Sequence, residues 1–454
     1  MTLEPGDAPA PRRRLGIVSG SIGGQPTSAG QRRGSVLRNA DFGKLWAAQA
    51  ISVYGTQVTV PAVPLVAALT LRVSPFEFGL LGTLEFLPFV LLSLPAGVWV
   101  DRLQRRPILV VADVVRAATL LSIPAAVALH GLTLWQLYAV VFVNGCLTVF
   151  FDVASQSYLP TVVERDQLVD GNSKLELTRT TAQRLGPGLA GLLIGALTAP
   201  FAIVVDAISY ALSAAFISRI RRPEAAVEPR DVTMSPRLPM RAEIGAGLRY
   251  VTGHPWLRSM ALAVAIGNLF GNVADSILIL YLVTERGFSA AEIGFAFTIG
   301  SIGVISGALV ANRLTRLLGV GRMLLLSEVG SSLSWLPIAI APDALLFPAL
   351  ALTISALSFF GAGWNVNAVS LRQAITPLPM QGRTNATMRF IGWGLIPVGT
   401  ILGGALGSTI GLHNTIWVGA LGAVLGFVPV ALSSVRNVRA IPDGATNGDV
   451  SRHA

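Results

Sequence analysis

The sequence predicts an all-α integral membrane protein with twelve transmembrane helices in two pseudo-symmetric six-helix bundles. Hydrophobic residues make up 52% of the 454 residues and charged residues only 13%. Soluble proteins carry about 25% charged residues, so this composition argues against a soluble enzyme. Long apolar runs alternate with short polar connections, and a run of about twenty apolar residues crosses a bilayer as a helix.

Basic residues are confined to alternate connections. The connections after odd-numbered runs contain only Arg72 and Arg286 as basic residues, whereas those after even-numbered runs and both tails contain most of the others. Since basic residues stay in the cytoplasm, we expect an even number of spans in the inner membrane, with both termini cytoplasmic. The predicted spans are 45–71, 76–100, 107–129, 132–154, 180–198, 201–217, 257–283, 291–310, 323–340, 344–365, 386–410 and 415–433.

The spans fall into two groups of six around the one long connection. The first residues are rich in Gly, Ser, Pro and Arg and lack an apolar core, which predicts a disordered tail. The expected organisation is a disordered cytoplasmic tail (1–40), an N-terminal bundle (41–219), a cytoplasmic central loop (220–250), a C-terminal bundle (251–436) and a cytoplasmic tail (437–454).

An internal repeat supports two related halves. The second and eighth spans both open with Ser-x-x-Glu, at Ser74–Glu77 and Ser289–Glu292. This is a capping box, in which the hydroxyl and the carboxylate bind free N–H groups at a helix start. Residues 151–172 are also echoed by residues 364–385, with an aromatic–Asp/Asn pair and a later Asn at the same spacing.

The connection between spans two and three, residues 97–106, reads Gly-Val-Trp-Val-Asp-Arg-Leu-Gln-Arg-Arg. It resembles the corresponding loop of the major facilitator superfamily, although Gln104 replaces the usual glycine. The resemblance implies that Asp101 contacts the start of span eleven, where Thr384-Asn385 is expected to cap the helix and latch the halves together. Small Gly97 permits close helix approach, and Asp113 and Arg116 form an i, i+3 pair. The predicted latch residues are Gly97, Asp101, Arg102, Arg105, Arg106, Asp113 and Arg116.

Span five contains Gly-Pro-Gly-Leu-Ala-Gly from residue 186 to residue 191. The spacing fits a dinucleotide-binding loop, but no strand precedes it, so that interpretation is rejected. The segment resembles the span-five signature of superfamily antiporters, with Ala190 for one glycine. This implies a hinge typical of exporters, while a kinked packing helix is the alternative. The hinge residues are Gly186, Pro187, Gly191 and Gly195.

Polar side chains form stripes along spans one, four, seven and ten, which line the cavity in the superfamily. Each stripe lies on one helix face and must turn away from lipid. Hydrogen bonding between helices is the competing explanation. The candidate cavity and substrate residues are Gln49, Ser52, Thr56, Asn144, Thr148, Asp152, Asn268, Asn272, Ser358 and Asn365.

Glu85, Asp206 and Asp275 lie deep within spans and have no basic residue within a turn or two. A charge at the centre of a membrane helix costs about 2.5–3.5 kcal/mol on insertion scales. Burial favours the protonated form, as proton-coupled antiport requires. These three acids are the candidates for proton coupling, and a hydrogen-bonded structural acid is the alternative for each.

Residues 111–117 and 166–172 resemble the enterobactin-exporter and macrolide-efflux branch of the superfamily. The resemblance implies proton-coupled efflux of a small amphipathic compound, such as a drug, siderophore or secondary metabolite. Few fixed charges are expected in the cavity. We expect substrate, protons and the lipid bilayer as partners, a monomer, and no cofactor, metal or nucleic acid. The alternatives are an importer and a non-transporting membrane sensor or assembly partner. The sequence contains no group of residues typical of a catalytic site, so we do not expect an enzyme.

Overall fold

The structure, a computed structural model, describes residues 36–224 and 240–441, and in this part of the chain it contains helices and no strands. Six long helices form the N-terminal half, and the first continues as a π-helical turn over Val66–Thr70. They are α1 (Ala40–Leu65), α2 (Pro75–Arg102), α3 (Arg105–Ala128), α4 (Leu134–Val162), α5 (Leu168–Leu197) and α6 (Ala199–Ser218).

The C-terminal half repeats this plan with more interruptions. Spans nine, eleven and twelve are each split into two helices close to Pro337, Pro397 or Pro429, since proline lacks the N–H that a continuous helix needs. The helices are α7 (Met240–Gly253), α8 (Pro255–Thr284), α9 (Ala290–Leu318), α10 (Val320–Leu333), α11 (Leu336–Ile340), α12 (Leu346–Ile375), α13 (Leu378–Gly394), α14 (Ile396–Ile410), α15 (Leu412–Val424) and α16 (Phe427–Leu432).

Eleven segments are long and apolar enough to cross a membrane, and α5 adds a shorter apolar stretch over Leu185–Leu197. Together they account for the twelve predicted spans. Because the number of crossings is even, residues 36 and 441 lie on the same side of the molecule. We call this the terminal side, and the opposite side the distal side.

The helix neighbours confirm the predicted two-fold relation between the halves. Helix α1 packs against α5 and α6, as α8 packs against α14 and α15. Helix α3 packs against α4 and α6, as α10 packs against α12 and α15. Each partnership recurs six spans later, so the two bundles share one packing scheme.

Both predicted capping boxes are present at the distal starts of α2 and α9. The Ser74 N–H donates to Glu77 Oε2 at 2.7 Å, and the Ser289 N–H donates to Glu292 Oε2 at 2.8 Å. Each serine hydroxyl accepts the N–H of its own glutamate in return. The repeat is therefore structural as well as sequential.

Five helices run at least eight residues further on the terminal side than predicted, among them α9, which ends at Leu318 instead of 310. α4 ends at Val162 instead of 154 and α5 begins at Leu168 instead of 180. Likewise α12 ends at Ile375 and α13 begins at Leu378. A fall in hydropathy along the sequence marks the edge of the membrane. A helix can continue beyond that edge into water, because its backbone hydrogen bonds do not depend on the apolar side chains. Thr384-Asn385 consequently lies inside α13, and the prediction that it caps the start of this helix is wrong.

The two halves meet through paired glycines on the distal side. A Cβ built on Gly79 of α2 would lie 2.7 Å from the Cα of Gly404 in α14. A Cβ built on Gly294 of α9 would lie 2.4 Å from the Cα of Gly191 in α5. Because only glycine permits this approach, these two crossings hold the distal side closed.

Polar and aromatic contacts between the halves follow the same path along α2. The Phe76 N–H donates to Ser408 Oγ at 2.9 Å, and the Thr83 and Thr400 hydroxyls are 2.9 Å apart. One turn and a half further along, Phe89 meets the ring of Trp393 edge-on at 5.9 Å. The described helices thus enclose a cleft that opens toward the terminal side.

The central connection contains a helix that the sequence did not predict. Within predicted loop 220–250, α7 begins at Met240 and packs against α13, and the Tyr250 hydroxyl donates to the Ile375 carbonyl at 3.1 Å. Residues 225–239 lie outside the described residues, as do most of the two predicted tails. Residues 36–38 form a 3-10 turn with buried Val36, so disorder was the wrong prediction for this part of tail 1–40.

Candidate functional site

A cavity of about 560 Å³ lies among α8, α10, α12 and α13. Its wall combines amides, tryptophans, two acids and two arginines. The chemically informative lining residues are Asn268, Asn272, Asp275, Glu328, Trp335, Trp364, Asn365, Arg372, Arg389 and Trp393.

Two acids face this cavity without a partner. Asp275 of α8 is exposed to it, and Glu328 of α10 is partly exposed. Neither carboxylate makes a hydrogen bond or an ion pair with any described residue. Gly267 and Gly426 make room for Glu328, since a Cβ on either would lie 2.8 or 2.3 Å from Oε1. Both acids are therefore free to bind a proton or a substrate group.

Two arginines lie nearer the terminal side of the same cavity. Arg389 of α13 is exposed and stacks over Trp393, with its guanidinium carbon 4.9 Å from the ring centre. Arg372, in the last turn of α12, has a buried Nε with no hydrogen-bond partner in the described chain. The expectation of few fixed charges is therefore wrong. Arg372 escaped notice because α12 continues beyond the predicted span, whereas Arg389 inside span eleven was a signal that sequence reasoning missed.

The predicted amides of span seven lie in the cavity wall. Asn268 Nδ2 donates to the Gly392 carbonyl of α13 at 2.7 Å, and Asn272 Nδ2 donates to the Asn268 carbonyl at 2.8 Å. Asn365 of α12 is exposed to the same space. These side chains offer hydrogen bonds next to the aromatic surface of Trp364.

Glu85 and Asp275 come from opposite halves and lie near each other. Glu85 lies on α2, is partly exposed, and is within electrostatic range of Asp275 on α8. No described residue is hydrogen-bonded or ion-paired to the Glu85 carboxylate. Two of the three candidate coupling acids thus come from opposite halves and influence each other.

Asp206 belongs to a separate polar cluster inside the N-terminal half. Its Oδ2 accepts the Thr59 hydroxyl at 2.5 Å and its Oδ1 accepts the Ser209 hydroxyl at 3.0 Å. Asp206 is fully buried and lies within electrostatic range of Arg116. The structure therefore places this candidate away from the cavity.

Arg116 is the centre of that cluster. It donates to Asp113 Oδ1 at 2.5 Å, which confirms the predicted pair, and both side chains are almost completely buried. Its guanidinium lies between the rings of Phe151 and Tyr210, 4.3 Å from each centre. The pair lies in the bundle interior, and its contacts with α4 and α6 lie away from the loop between α2 and α3 with which it was grouped as a latch.

The predicted stripe of span one is largely used for contacts within the bundle. Gln49 donates to Ser155 of α4, and the Thr56 hydroxyl is 2.8 Å from the Tyr210 hydroxyl. Ser52 is buried and bonds to a carbonyl of its own helix. Hydrogen bonding between helices therefore accounts for Gln49 and Thr56, which lie outside the lining of the C-terminal cavity.

The candidate residues of spans four and ten have different surroundings: one packs within its half, and the others are exposed or partly exposed. Asn144 donates to the Thr119 hydroxyl of α3 at 2.9 Å, a contact within the N-terminal half. Asp152 is exposed and lies within electrostatic range of Arg389 on the opposite half. Thr148 and Ser358 are partly exposed and do not line the cavity.

The described side chains of the arginine-rich loop contact the end of α6 and the residues that follow it. The Arg105 N–H donates to both oxygens of Glu224 at 2.9 Å, and the Arg105 guanidinium is 3.3 Å from the same carboxylate. Arg106 donates to the Ser218 carbonyl, and Arg102 is exposed. This anion at the start of α3 satisfies free N–H groups.

Gly97, the glycine of the predicted latch, has no close contact with the opposite half. A Cβ on Gly97 would meet nothing within 4 Å, which fits a cleft open on this side. The side chain of Asp101 lies outside the described part of the chain, so its predicted contact stays a prediction.

The glycines of the predicted hinge are packing positions. A Cβ on Gly186 would lie 2.3 Å from Gln57 of α1, and one on Gly195 would lie 3.5 Å from Ala291 of α9. With Gly191 they form a small-residue face toward α1 and α9. Helix α5 continues through Pro187 without a break.

Solved structures share this architecture. The nucleoside transporter NupG matches with a TM-score of 0.63 at 14% identity, over 86% of this chain and 97% of that one. A bacterial homologue of the iron transporter ferroportin in its inward-facing state matches with a TM-score of 0.64 at 18% identity, over 87% and 98%. At these identities the likeness establishes the fold alone.

Comparison with sequence relatives gives more specific information about the family. The multidrug efflux pump Tap of Mycolicibacterium fortuitum is 27% identical over 392 residues, covering 85% of this chain and 93% of Tap. The enterobactin exporter EntS of Shigella boydii is 27% identical over 409 residues, covering 87% of each. The family model described as transmembrane secretion effector matches residues 34–448. The chain therefore belongs to the transmembrane secretion effector family, and it is a major facilitator superfamily transporter.

Proposed function

We propose that the protein exports a small amphipathic compound from the cytoplasm in exchange for protons, by alternating access around the central cleft. The observation that carries this proposal is the pairing of Glu85 and Asp275. They are contributed by opposite halves, and neither carboxylate has a hydrogen-bond or ion-pair partner among the described residues.

Two nearby carboxylates repel each other when both are ionised, and a proton on either one removes the repulsion. Because Glu85 lies on α2 and Asp275 on α8, rocking of the halves changes their separation. Proton binding would therefore favour one arrangement of the halves and proton release the other. This links proton movement to exposure of the cavity.

The cavity wall supports a substrate with both apolar and polar parts. Trp364 and Trp393 offer aromatic surface, while Asn365 and Arg389 offer hydrogen bonds beside it. Aromatic surface combined with placed polar groups is typical of small-molecule sites.

The direction of transport rests on two arguments. Basic residues near the terminal side favour a cytoplasmic location for it in the inner membrane, with both termini inside. The cleft that opens there would load substrate from the cytoplasm. The relatives named as an efflux pump and an exporter support the same direction.

The test uses everted membrane vesicles from a deletion strain that expresses the chain. Compounds whose toxicity rises in the deletion strain serve as probes, with and without a protonophore. We expect respiration-driven accumulation that the protonophore abolishes and that Glu85→Gln or Asp275→Asn removes. Glu285→Gln, at an exposed glutamate of the distal loop, is the matched control and should transport normally.

Three results would contradict the proposal. Accumulation that survives in both acid variants would exclude these carboxylates from coupling. Proton-dependent uptake into whole cells would identify an importer. A deletion phenotype restored equally by the Asp275→Asn chain, without transport of any probe, would favour a sensor or assembly partner.

A further inference from the structure

An open pocket of about 1040 Å³ lies at the terminal side of the N-terminal half, well away from the central cleft. It is formed by the start of α1, the start of α3 and the end of α6. The lining residues are Asn39, Ala40, Asp41, Lys44, Arg106, Ser218, Arg219, Ile220 and Arg221.

The acid in this pocket is already neutralised. Asp41 accepts the Lys44 ammonium at 2.7 Å and the backbone N–H groups of Arg221 and Arg222 at 3.2 and 3.0 Å. Its charge is therefore unavailable to balance the three arginines of the lining.

The guanidinium groups of those arginines have no carboxylate partner among the described residues. The Arg106 guanidinium donates to the Ser218 carbonyl, and Arg219 and Arg221 are exposed. A guanidinium remains protonated at any physiological pH and binds phosphate oxygens through its planar fork of N–H groups. The pocket thus has an uncompensated positive charge suited to a phosphate.

The surface below the pocket is apolar and exposed. Val111 and Val114 of α3 are 57% and 52% exposed, and Ile208 and Leu212 of α6 are 53% and 45% exposed. These residues belong to membrane spans, so their exposed faces contact acyl chains. The pocket is at the end of this surface, at the level where lipid headgroups lie.

The related corner of the C-terminal half is filled by protein. There the Gly321 N–H at the start of α10 donates to the Val438 carbonyl at 2.8 Å, and a Cβ on Gly321 would lie 2.0 Å from the Val435 carbonyl oxygen. The chain after α16 occupies the space that is open beside α3. Within residues 36–224 and 240–441, the open basic pocket thus has no counterpart at this corner of the C-terminal half.

We propose that this pocket binds the phosphate of an anionic phospholipid, whose acyl chains lie along α3 and α6. The shared chemistry is a phosphate group, so free phosphate is the alternative source that the experiment must separate from the lipid.

The test is native mass spectrometry of the full chain in detergent with phosphatidylglycerol and phosphatidylcholine at equal concentration. We expect preferential binding of phosphatidylglycerol, reduced about thirtyfold in Arg219→Gln/Arg221→Gln, since each basic residue near an anionic lipid contributes about a factor of five. Arg219→Lys/Arg221→Lys should keep most of the binding. Its retention, with an unchanged elution volume for both variants, separates loss of charge from misfolding.

Arg436→Gln/Arg439→Gln is the matched control, because it removes two exposed arginines from the terminal side of the other half. It should retain phosphatidylglycerol. Equal loss in this control would overturn the proposal in favour of general surface charge. Displacement of the lipid by millimolar inorganic phosphate would overturn it in favour of a soluble anion, and equal binding of phosphatidylcholine would exclude a charge-specific site.

Discussion

The N-terminal and C-terminal halves share one packing scheme but use their buried polar groups differently. In the N-terminal half, Arg116, Asp113 and Asp206 are buried and bound to neighbours from four helices. In the C-terminal half, Asp275 and Glu328 face a cavity and have no partner among the described residues. The same scaffold therefore carries a closed polar cluster on one side and an open polar site on the other.

This difference indicates that the buried polar residues of the two halves have different roles. A buried ion pair that contacts several helices resists rearrangement, because separating the partners leaves an uncompensated charge in the interior. Acids in a cavity keep the freedom to exchange protons with water and substrate. We infer that the N-terminal half acts as a rigid body against which the cavity-bearing half moves.

The largest effect should come from Arg116→Met. Removing this guanidinium leaves Asp113 and Asp206 buried without a cation, which should lower the free energy of unfolding by about 3–5 kcal/mol. Denaturant unfolding in detergent, followed by tryptophan fluorescence, measures the change.

Arg389→Met is the matched control, because Arg389 is exposed and makes no ion pair with a described residue. Its unfolding free energy should stay within about 0.5 kcal/mol of the wild type. The double change Asp113→Leu/Arg116→Met should recover much of the loss, since an apolar pair can replace a buried ion pair. Equal destabilisation by Arg116→Met and Arg389→Met would contradict the proposal that the polar cluster of the N-terminal half is structural and the polar site of the C-terminal half is not.

Sequence patterns predicted the scaffold better than the site. The capping boxes at Ser74 and Ser289 depend on neighbours three residues apart, so local chemistry determines them. The partners of Gln49 and Thr59 lie on other helices, and a polar stripe alone does not say whether it faces a neighbouring helix or a cavity. Hydropathy also placed the ends of α4 and α12 too early, because it detects the membrane and not the helix.

The second prediction concerns the glycine crossings that close the distal side. Gly294→Ala would place a Cβ 2.4 Å from the Cα of Gly191, and Gly404→Ala would place one 2.9 Å from the Cα of Gly79. Overpacking of this kind costs about 1–3 kcal/mol, which would shift the equilibrium toward a separated distal side by roughly 5- to 150-fold. Cys146 is the single cysteine of the sequence and is replaced by alanine in the background. Maleimide labelling of a cysteine introduced at Ser408 should then become faster in both variants.

The two crossings are related by the pseudo-two-fold axis, so the two alanine variants should behave alike. Gly43→Ala is the control, because a Cβ there meets nothing within 4 Å. Faster labelling in only one crossing variant would show that the shared scaffold is itself asymmetric.

The smallest effect should come from the turns that join spans five to six and eleven to twelve. Thr198 and Gly411 occupy these related positions with almost the same backbone, φ 69° and ψ 158° against φ 87° and ψ 158°. This region is nearly exclusive to glycine, and another residue there costs about 1–3 kcal/mol. Thr198→Gly should therefore stabilise the protein by about 1 kcal/mol, after the greater chain entropy of glycine is subtracted, whereas Gly411→Thr should destabilise it.

Thr198→Ala separates backbone strain from side-chain loss. Alanine retains the Cβ that makes a positive φ unfavourable, so this variant should gain no stability, and thermal unfolding in detergent should rank Thr198→Gly above both wild type and Thr198→Ala. A gain in Thr198→Ala equal to that in Thr198→Gly would mean that the threonine side chain, and not its φ, is the source of the cost. The two halves would then differ at this turn in packing, while the glycine at position 411 would still be required by its backbone.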